Sequence, residues 1–176
     1  LTEENGKYLL TQTPVRAYES LRDTENAVVI PKTAASEANA QIADFRSDCY
    51  EIIAKFKPLA NETVGFNVRV GGGKKTSVLY DSAQKTMTID RSQSGRMIPD
   101  AAAFSGIDKQ ENVELNADGT LDMHIFVDRA CVELFAKNNT VLGANQIFPE
   151  AGCLGLEVVG DGAEVELTIY PMNSIW

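Results

Sequence analysis

The sequence lacks the long apolar stretches that membrane insertion and secretion signals require. No run approaches the roughly 18 consecutive apolar residues of a membrane-spanning helix. The first residues, LTEENGKYLL, have neither the basic flank nor the apolar centre of a signal peptide. We therefore predict no membrane span. Because the chain starts at Leu1 and not at methionine, we also expect it to be a processed or excised piece of a longer protein.

Positive charge is in deficit. The chain has 25 acidic residues against 16 basic ones, which gives a formal net charge of -9. Most of such a surface repels a polyanion, so we exclude nucleic acid as a partner.

Histidine and cysteine are equally scarce. The only histidine, His124, lies in the middle of a predicted strand on the face away from the apolar residues, so a His-based catalytic triad or a His-rich metal site would need unusual partners. We interpret His124 as a polar residue in the middle of a strand. The three cysteines at positions 49, 131 and 153 leave at least one unpaired, and their apolar surroundings favour buried thiols. Neither a metal nor a cofactor is predicted.

The chain also has few aromatic residues that could form the flat platforms on which sugar rings stack. The one tryptophan, Trp176, is the last residue, and the five tyrosines are scattered over separate segments. We interpret Tyr80 and Tyr170 as strand residues. Carboxylates are abundant, but abundance does not define the catalytic pair, roughly 5 to 9 Å apart, that glycoside hydrolysis needs.

What the chain does contain is alternating apolar and polar residues, most clearly over residues 121–149. This stretch predicts three antiparallel strands. A tight turn after Asp128 sets Val127 opposite Val132, and a second turn at 137–140 sets Ala136 opposite Val141. Pro149 is expected to end the third strand.

Further short strands follow the same pattern before and after this meander. CYEIIAKF (49–56), TVGFNVRV (63–70), TSVLYD (76–81) and TMTIDR (86–91) are each bounded by turn signals. The glycine run 71–73 is read as a hairpin tip and not as a phosphate-binding loop. Asp161-Gly162 predicts a last hairpin between residues 153–159 and 163–171.

The remaining segments are less regular. Residues 14–22 predict one or two helical turns, and 27–31 a short strand ended by Pro31. The small residues of 33–40 leave helix and loop equally open. The connection 92–118 is longer than most loops in compact domains, so we expect it to hold local structure against the sheet, with Phe104 as its plug.

Together these segments predict an all-β protein of about 10 to 12 strands with little helix. Many short antiparallel strands favour a β-sandwich of two face-to-face sheets, jelly-roll or concanavalin-like, and a closed barrel is the lesser alternative. With 44% hydrophobic residues, the chain can form one domain over residues 25–176. Such a domain should bury roughly 70% of the surface that the unfolded chain would expose. Residues 1–24, which we call the linker, are expected to lead into it.

Two Asp-Arg pairs occupy similar positions at the ends of predicted strands. Asp90-Arg91 follows one predicted strand and Asp128-Arg129 another. Such a pair ties down a turn or meets a neighbouring domain through the fork geometry of arginine.

Several of these stretches also resemble a known family. IFVDRACVELF (125–135), QIFP (146–149) and LYDSAQKTMTIDRSQSG (79–95) resemble the C-terminal β-sandwich module of glycoside hydrolase family 32, the invertases, levanases and inulinases. PVRAYESLR (14–22) looks like the segment that joins the family's propeller to its sandwich, and YPMNSIW (170–176) looks like its closing strand and tail. Ala130-Cys131 departs from the two serines that are common in relatives.

The resemblance implies that catalysis belongs to a five-bladed propeller on the N-terminal side. In the family, its acidic residues lie in Asn-Asp-Pro-Asn, Arg-Asp-Pro and Glu-Cys motifs. None is present here, since Arg22-Asp23 is followed by Thr24, and Cys131 is preceded by alanine. No catalytic residue is carried over, and Tyr18 and Arg22 become candidates for contact with the propeller.

The resemblance thus predicts a non-catalytic module of a fructan-hydrolysing enzyme that stabilises the propeller and flanks its substrate cleft. Two alternatives stay open, a fructan-binding module and a homodimerisation module. Calorimetric titration and mass measurement distinguish them. The parent protein is expected to be secreted, periplasmic or on the cell surface.

Overall fold

The computed structural model describes residues 1–4, 6–96 and 106–174. In chain order the described elements are β1 (Thr2–Glu4), β2 (Lys7–Leu9), a 3-10 helix (Arg16–Leu21), β3 (Val28–Ala34), α1 (Ala35–Gln41), β4 (Tyr50–Lys57), β5 (Thr63–Gly71), β6 (Lys74–Asp81), β7 (Thr86–Asp90), β8 (Ile107–Gln110), β9 (Leu121–Asp128), β10 (Cys131–Ala136), β11 (Val141–Gln146), β12 (Gly155–Val159) and β13 (Glu164–Pro171). Among these elements there is no helix with the length and apolarity that crossing a bilayer requires.

The described strands form two larger antiparallel sheets and one small hairpin. The six-stranded sheet has the order β11-β10-β9-β4-β13-β3, and the five-stranded sheet the order β12-β5-β6-β7-β8. β1 and β2 pair only with each other. The predicted all-β sandwich is confirmed, with eleven strands in its two main sheets.

The core lies between the two sheets and is built by period-2 alternation. In β4, Tyr50, Ile52, Ala54 and Phe56 point inward and are at most 4% exposed. Phe56 packs edge-on against Phe66 of the other sheet, with ring centres 5.4 Å apart. Such a pair adds about 1 kcal/mol beyond the area that it buries.

The three antiparallel strands predicted over 121–149 are confirmed, and so is the register in which they pair. Val127 lies opposite Val132, and Ala136 lies opposite Val141. The second turn is four residues long, and Lys137, Asn138 and Asn139 all have positive φ angles, between 51° and 62°. The third strand ends at Gln146, a little before Pro149.

The predicted end of a strand at Pro31 is wrong. β3 continues through Pro31 to Ala34 because it is the edge strand of the six-stranded sheet, where a missing N–H is tolerated. The pairing of β3 with β13 also shifts register at this point, between Val165 and Leu167, so Pro31 has no ladder partner. The segment left open at 33–40 is helical, since α1 covers Ala35–Gln41.

The predicted hairpin around Asp161-Gly162 is also wrong. β12 pairs with β5 in one sheet, whereas β13 pairs with β3 and β4 in the other. The connection crosses between sheets and is held by Glu62. Its Oε1 accepts the N–H groups of residues 161, 162 and 163 at 2.7, 2.7 and 2.9 Å. A carboxylate that is distant in sequence thus satisfies the donors that a hairpin ladder would have used.

The long connection 92–118 carries local structure, as predicted. It contains β8, which pairs with β7, and Val113, whose N–H donates to Lys85 O at 2.9 Å. The expected plug, Phe104, lies outside the described residues. The cysteines are free thiols, of which Cys153 is buried and Cys49 and Cys131 are half-buried.

Candidate functional site

The linker lies across the outer face of the six-stranded sheet. Its Gln12 N–H donates to Asn139 O, in the turn between β10 and β11, at 3.2 Å. Further along, Asp23 N–H donates to Pro171 O at 2.8 Å, and Asn173 N–H donates to Leu21 O at 2.7 Å. The segment therefore crosses from the β11 side of the sheet to β13 before the chain enters β3.

Glu51 holds the linker at this crossing. It is the outward-facing residue between Tyr50 and Ile52 of β4, yet it is only 1% exposed because the linker covers it. Arg22 donates two hydrogen bonds to its carboxylate, Nε to Oε2 at 2.6 Å and Nη2 to Oε1 at 2.8 Å. A forked Arg–carboxylate contact of this kind fixes both position and orientation.

His124 completes the contact from the neighbouring strand. The registers of β4 with β9 place Glu51 opposite Phe126, and His124 Nε2 lies 2.5 Å from Glu51 Oε1. Burial alone would raise the pKa of Glu51, but the hydrogen bonds from Arg22 and His124 outweigh it and lower the pKa to about 2. The carboxylate is therefore ionised at neutral pH.

Aromatic rings surround this ion cluster. Tyr18 of the 3-10 helix packs edge-on against Phe126 with ring centres 5.6 Å apart, and Phe126 lies 4.7 Å from the His124 ring. The guanidinium carbon of Arg22 lies 4.8 Å from the centre of the Tyr170 ring, which is cation–π distance. We call Arg22, Glu51, His124 and Tyr170 the anchor cluster.

Beyond the anchor cluster the linker presents apolar side chains to solvent. Tyr8, Leu10 and Val15 are 75%, 63% and 63% exposed, and Tyr18 keeps 44% of its surface exposed even though it packs on Phe126. Large apolar side chains grouped on one short segment mark an interaction surface more often than isolated ones do.

Sequence reasoning singled out Tyr18 and Arg22, and the structure brings both to this surface. It missed Glu51 and treated His124 only as a polar strand residue. The available signal was one carboxylate inside the apolar run CYEIIAKF, at a position whose neighbours all face the core. The partners that explain it lie 29 and 73 residues away in sequence.

Asp90 and Asp128 lie apart from the anchor cluster, and each bonds its own turn. Asp90 Oδ1 accepts the N–H of Ser92 at 2.8 Å, and Asp128 Oδ1 accepts the N–H of Arg129 at 2.6 Å.

The two arginines that follow these aspartates reach other segments. Arg91 Nη1 donates to Gln146 O at 2.8 Å, at the end of β11. Arg129 Nε donates to Asp48 Oδ2 at 2.9 Å, and its side chain stays 80% exposed. Each pair thus connects a turn to a neighbouring segment at one end of the sandwich.

The described residues offer little that resembles a catalytic or metal site. Over 1–4, 6–96 and 106–174, no group of three His, Cys, Asp or Glu side chains is placed to hold a metal ion. Within the same ranges, Glu51 is the one buried carboxylate, and its lowered pKa is the reverse of what a general acid needs.

The family model described as "Glycosyl hydrolases family 32 C terminal" matches residues 17–171. The chain belongs to this family. It is 48% identical to the fructan beta-fructosidase of Streptococcus mutans serotype c (strain ATCC 700610 / UA159), over 100% of this chain but only 12% of the relative. It is 32% identical to the levanase of Bacillus subtilis (strain 168), over 95% of this chain and 25% of the relative.

Solved structures agree with the family fold. The exo-inulinase from Aspergillus awamori superposes with a TM-score of 0.80 at 21% identity, over 98% of this chain and 34% of the other. Sucrose-6-phosphate hydrolase from Lactobacillus gasseri gives a TM-score of 0.77 at 20% identity, over 99% and 33%. The chain therefore spans between 12% and 34% of these family members and corresponds to their C-terminal module.

Proposed function

We propose that this chain is the non-catalytic C-terminal β-sandwich module of a fructan-hydrolysing glycoside hydrolase of the levanase, inulinase or invertase type. It stabilises a five-bladed catalytic propeller in the same polypeptide and flanks the substrate cleft. The observation that carries this proposal is the match of residues 17–171 to the family's C-terminal model, together with the alignment of at least 95% of the chain to only 12% and 25% of two fructan-cleaving relatives.

The geometry of the linker supports a scaffolding role. The anchor cluster fixes the direction in which the polypeptide enters the sandwich, because a forked Arg22–Glu51 contact permits one orientation. The exposed apolar side chains of Tyr8, Leu10 and Val15 are then presented to whatever precedes the sandwich. The catalytic domain is the neighbour that covers them.

The six candidate residues that the sequence singled out fall into two groups. Tyr18 and Arg22 act at the boundary with the propeller, Tyr18 by its exposed ring and Arg22 by holding the linker in place. Asp90, Arg91, Asp128 and Arg129 fix turns at the end of the sandwich, and the exposed Arg129 is the member of this set that is free to reach a neighbouring domain as well.

Hydrolysis assays test the non-catalytic role. The chain alone should release no fructose from levan, inulin or sucrose, because its sequence contains none of the family's three acidic motifs, Asn-Asp-Pro-Asn, Arg-Asp-Pro and Glu-Cys. Release of fructose by the purified chain at a rate above that of a heat-denatured sample would overturn the proposal.

Complementation tests the scaffolding role. The catalytic part of the parent, expressed without this module, should have a lower Tm, and addition of the chain should restore it. Tyr18→Ala and Arg22→Ala should weaken the restoration, whereas Lys57→Ala, an exposed change elsewhere on β4, should not. An unchanged Tm without the module contradicts this role.

A further inference from the structure

A polar cleft lies on the side of the sandwich formed by α1 and β12. It has a volume of about 370 Å³ and is lined by residues of α1 and of the segment after it, by the free edge of β12 with the preceding Gly152, and by the end of β5. Asn39 Oδ1 accepts the N–H of Val158 at 2.9 Å at one end, and Ser47 N–H donates to Leu154 O at 3.0 Å at the other. Between these contacts no described strand pairs with the edge of β12.

The backbone of β12 turns hydrogen-bonding groups toward this cleft. The N–H of Val158 points away from β5, since it bonds to Asn39. Peptide groups two residues apart in an antiparallel strand point the same way, so those of Leu156 face outward between the two closing contacts. Leu156 also lines the cleft. An uncovered edge peptide of this kind accepts and donates hydrogen bonds to a ligand.

The side chains of the cleft provide a donor and an acceptor that are both held in place. Arg46 Nη1 donates to Ala43 O and Phe45 O at 2.8 and 2.7 Å, so the rest of its guanidinium is available to a ligand. Glu157 Oε2 accepts Asn67 Nδ2 at 2.7 Å, and Oε1 is the oxygen left to a ligand.

The side chains that hold the cleft residues in place are themselves hydrogen-bonded. Asn67 is only 6% exposed and accepts the Ser77 hydroxyl at 2.7 Å, so the carboxylate of Glu157 is held by a chain of hydrogen bonds across three strands. Glycine at positions 71, 152 and 155 keeps side chains out of the cleft. A Cβ on Gly71 would lie 2.7 Å from Gly152 O, so this close backbone approach requires glycine.

These features select the chemistry of the ligand. The opposite charges of Arg46 and Glu157 favour a neutral dipolar molecule, and the net charge of -9 opposes an anion. The edge between residues 154 and 158 is about 13 Å long at roughly 3.3 Å per residue, and the contacts from Asn39 and Ser47 close both of its ends, so an added β-strand could not continue past them. It is long enough for one or two sugar rings, whose hydroxyls both donate and accept hydrogen bonds.

We propose that the α1–β12 cleft is a saccharide-binding site of this module. The proposal uses the fructan-related function only to choose the probes, and it does not require that a catalytic domain be attached. Loss of scaffolding and loss of sugar binding are therefore separate outcomes.

Titration of the isotopically labelled chain with the trisaccharides 1-kestose and 6-kestose, followed by NMR, tests the site. The amide signals of Leu156 and Glu157 should shift saturably with at least one of the two sugars. Arg46→Ala and Glu157→Gln should each weaken the apparent affinity about tenfold, the loss expected for one hydrogen bond to a charged group. Lys32→Ala, in a second cleft on the six-stranded sheet, should leave the affinity unchanged.

The result that overturns the proposal is the absence of saturable shifts at these amides with both sugars, or equal affinity in the parent chain and in the two cleft variants. Circular dichroism melts of all variants show whether each is folded. Among the described residues, Arg46 donates its hydrogen bonds to carbonyls of its own loop, so Arg46→Ala keeps the test valid if Glu157→Gln unfolds the chain.

Discussion

The substitution Glu51→Gln removes one charge from the anchor cluster and leaves its shape nearly unchanged. A fall in pKa from the ordinary 4.5 to about 2 corresponds to at most about 3.4 kcal/mol of stabilisation at neutral pH. Arg22 and His124 keep 19% and 24% of their side chains exposed, so water screens part of this energy. We expect the variant to lose about 2 to 3 kcal/mol of unfolding free energy at pH 7.

The pH dependence of this loss follows from the direction of the pKa shift. Because the folded-state pKa of Glu51 is lowered, its stabilisation is fully present above about pH 4.5 and disappears as the pH falls toward 2. The difference between the parent chain and Glu51→Gln should therefore shrink between pH 5 and pH 2.5. Urea unfolding at several pH values, monitored by circular dichroism, measures it.

A matched change separates the buried carboxylate from carboxylates in general. Glu164 forms an exposed ion pair with Lys32 at 2.7 Å, with 47% and 60% of the two side chains exposed. Glu164→Gln should change the unfolding free energy by less than about 0.5 kcal/mol. The reasoning fails if Glu51→Gln is as stable as Glu164→Gln at pH 7, or if its loss stays constant down to pH 2.5.

Three other predictions address the linker, the crossing between sheets and the packing of β5. A chain without residues 1–11 should unfold at nearly the same urea concentration as the parent chain. A chain without residues 1–23 lacks Arg22 and should lose about 3 kcal/mol of unfolding free energy. Equal urea midpoints for the two deletions would contradict the role of the anchor cluster. Glu62→Gln should lower the unfolding free energy by about 1 to 2 kcal/mol at pH 7 in the same urea assay. Hydrogen bonds from the N–H groups of residues 59 and 161–163 lower the pKa of Glu62, so this loss should diminish below about pH 4.5. Gly65→Ala should prevent soluble folding or lower Tm strongly, since Gly65 has φ +143° and a Cβ would lie 2.1 Å from Val78 O; a normal melt contradicts this packing.

The strands and the buried faces were predictable because both follow from local alternation. In β4 and β9, Ile52 and Ile125 lie in register and face the core, as their spacing from neighbouring apolar residues predicts. Turn chemistry fixed the pairing within the meander, where each connection is short enough to leave one register.

The same local rules failed where the chain changes sheets. Asp161-Gly162 has the composition of a hairpin turn, and its flanking strands both alternate correctly. A period-2 pattern shows which side of a strand is buried but not which sheet receives it. The connection is instead held by Glu62, about 100 residues away in sequence, whose carboxylate accepts its N–H groups.

The anchor cluster could not be predicted for a related reason. Glu51, Arg22 and His124 each look ordinary within their own segments, and their meaning depends on the order of strands β9, β4 and β13 in the sheet. Once that order is set, Glu51 is the buried outward-facing carboxylate that meets the linker, and it needs hydrogen-bond partners on both sides to remain charged.

An apolar contact at this position would stabilise the fold as well as an ion cluster does, since a buried ion pair loses much of its attraction to desolvation. What it would not provide is a fixed angle for the linker. The forked bond from Arg22 restricts rotation of residues 16–22, while Tyr18 and Val15 keep exposed apolar surface on the same segment. The charge therefore sets orientation and the apolar residues supply contact area, which is the division of roles that a lobe joined to a neighbouring domain through one short segment requires.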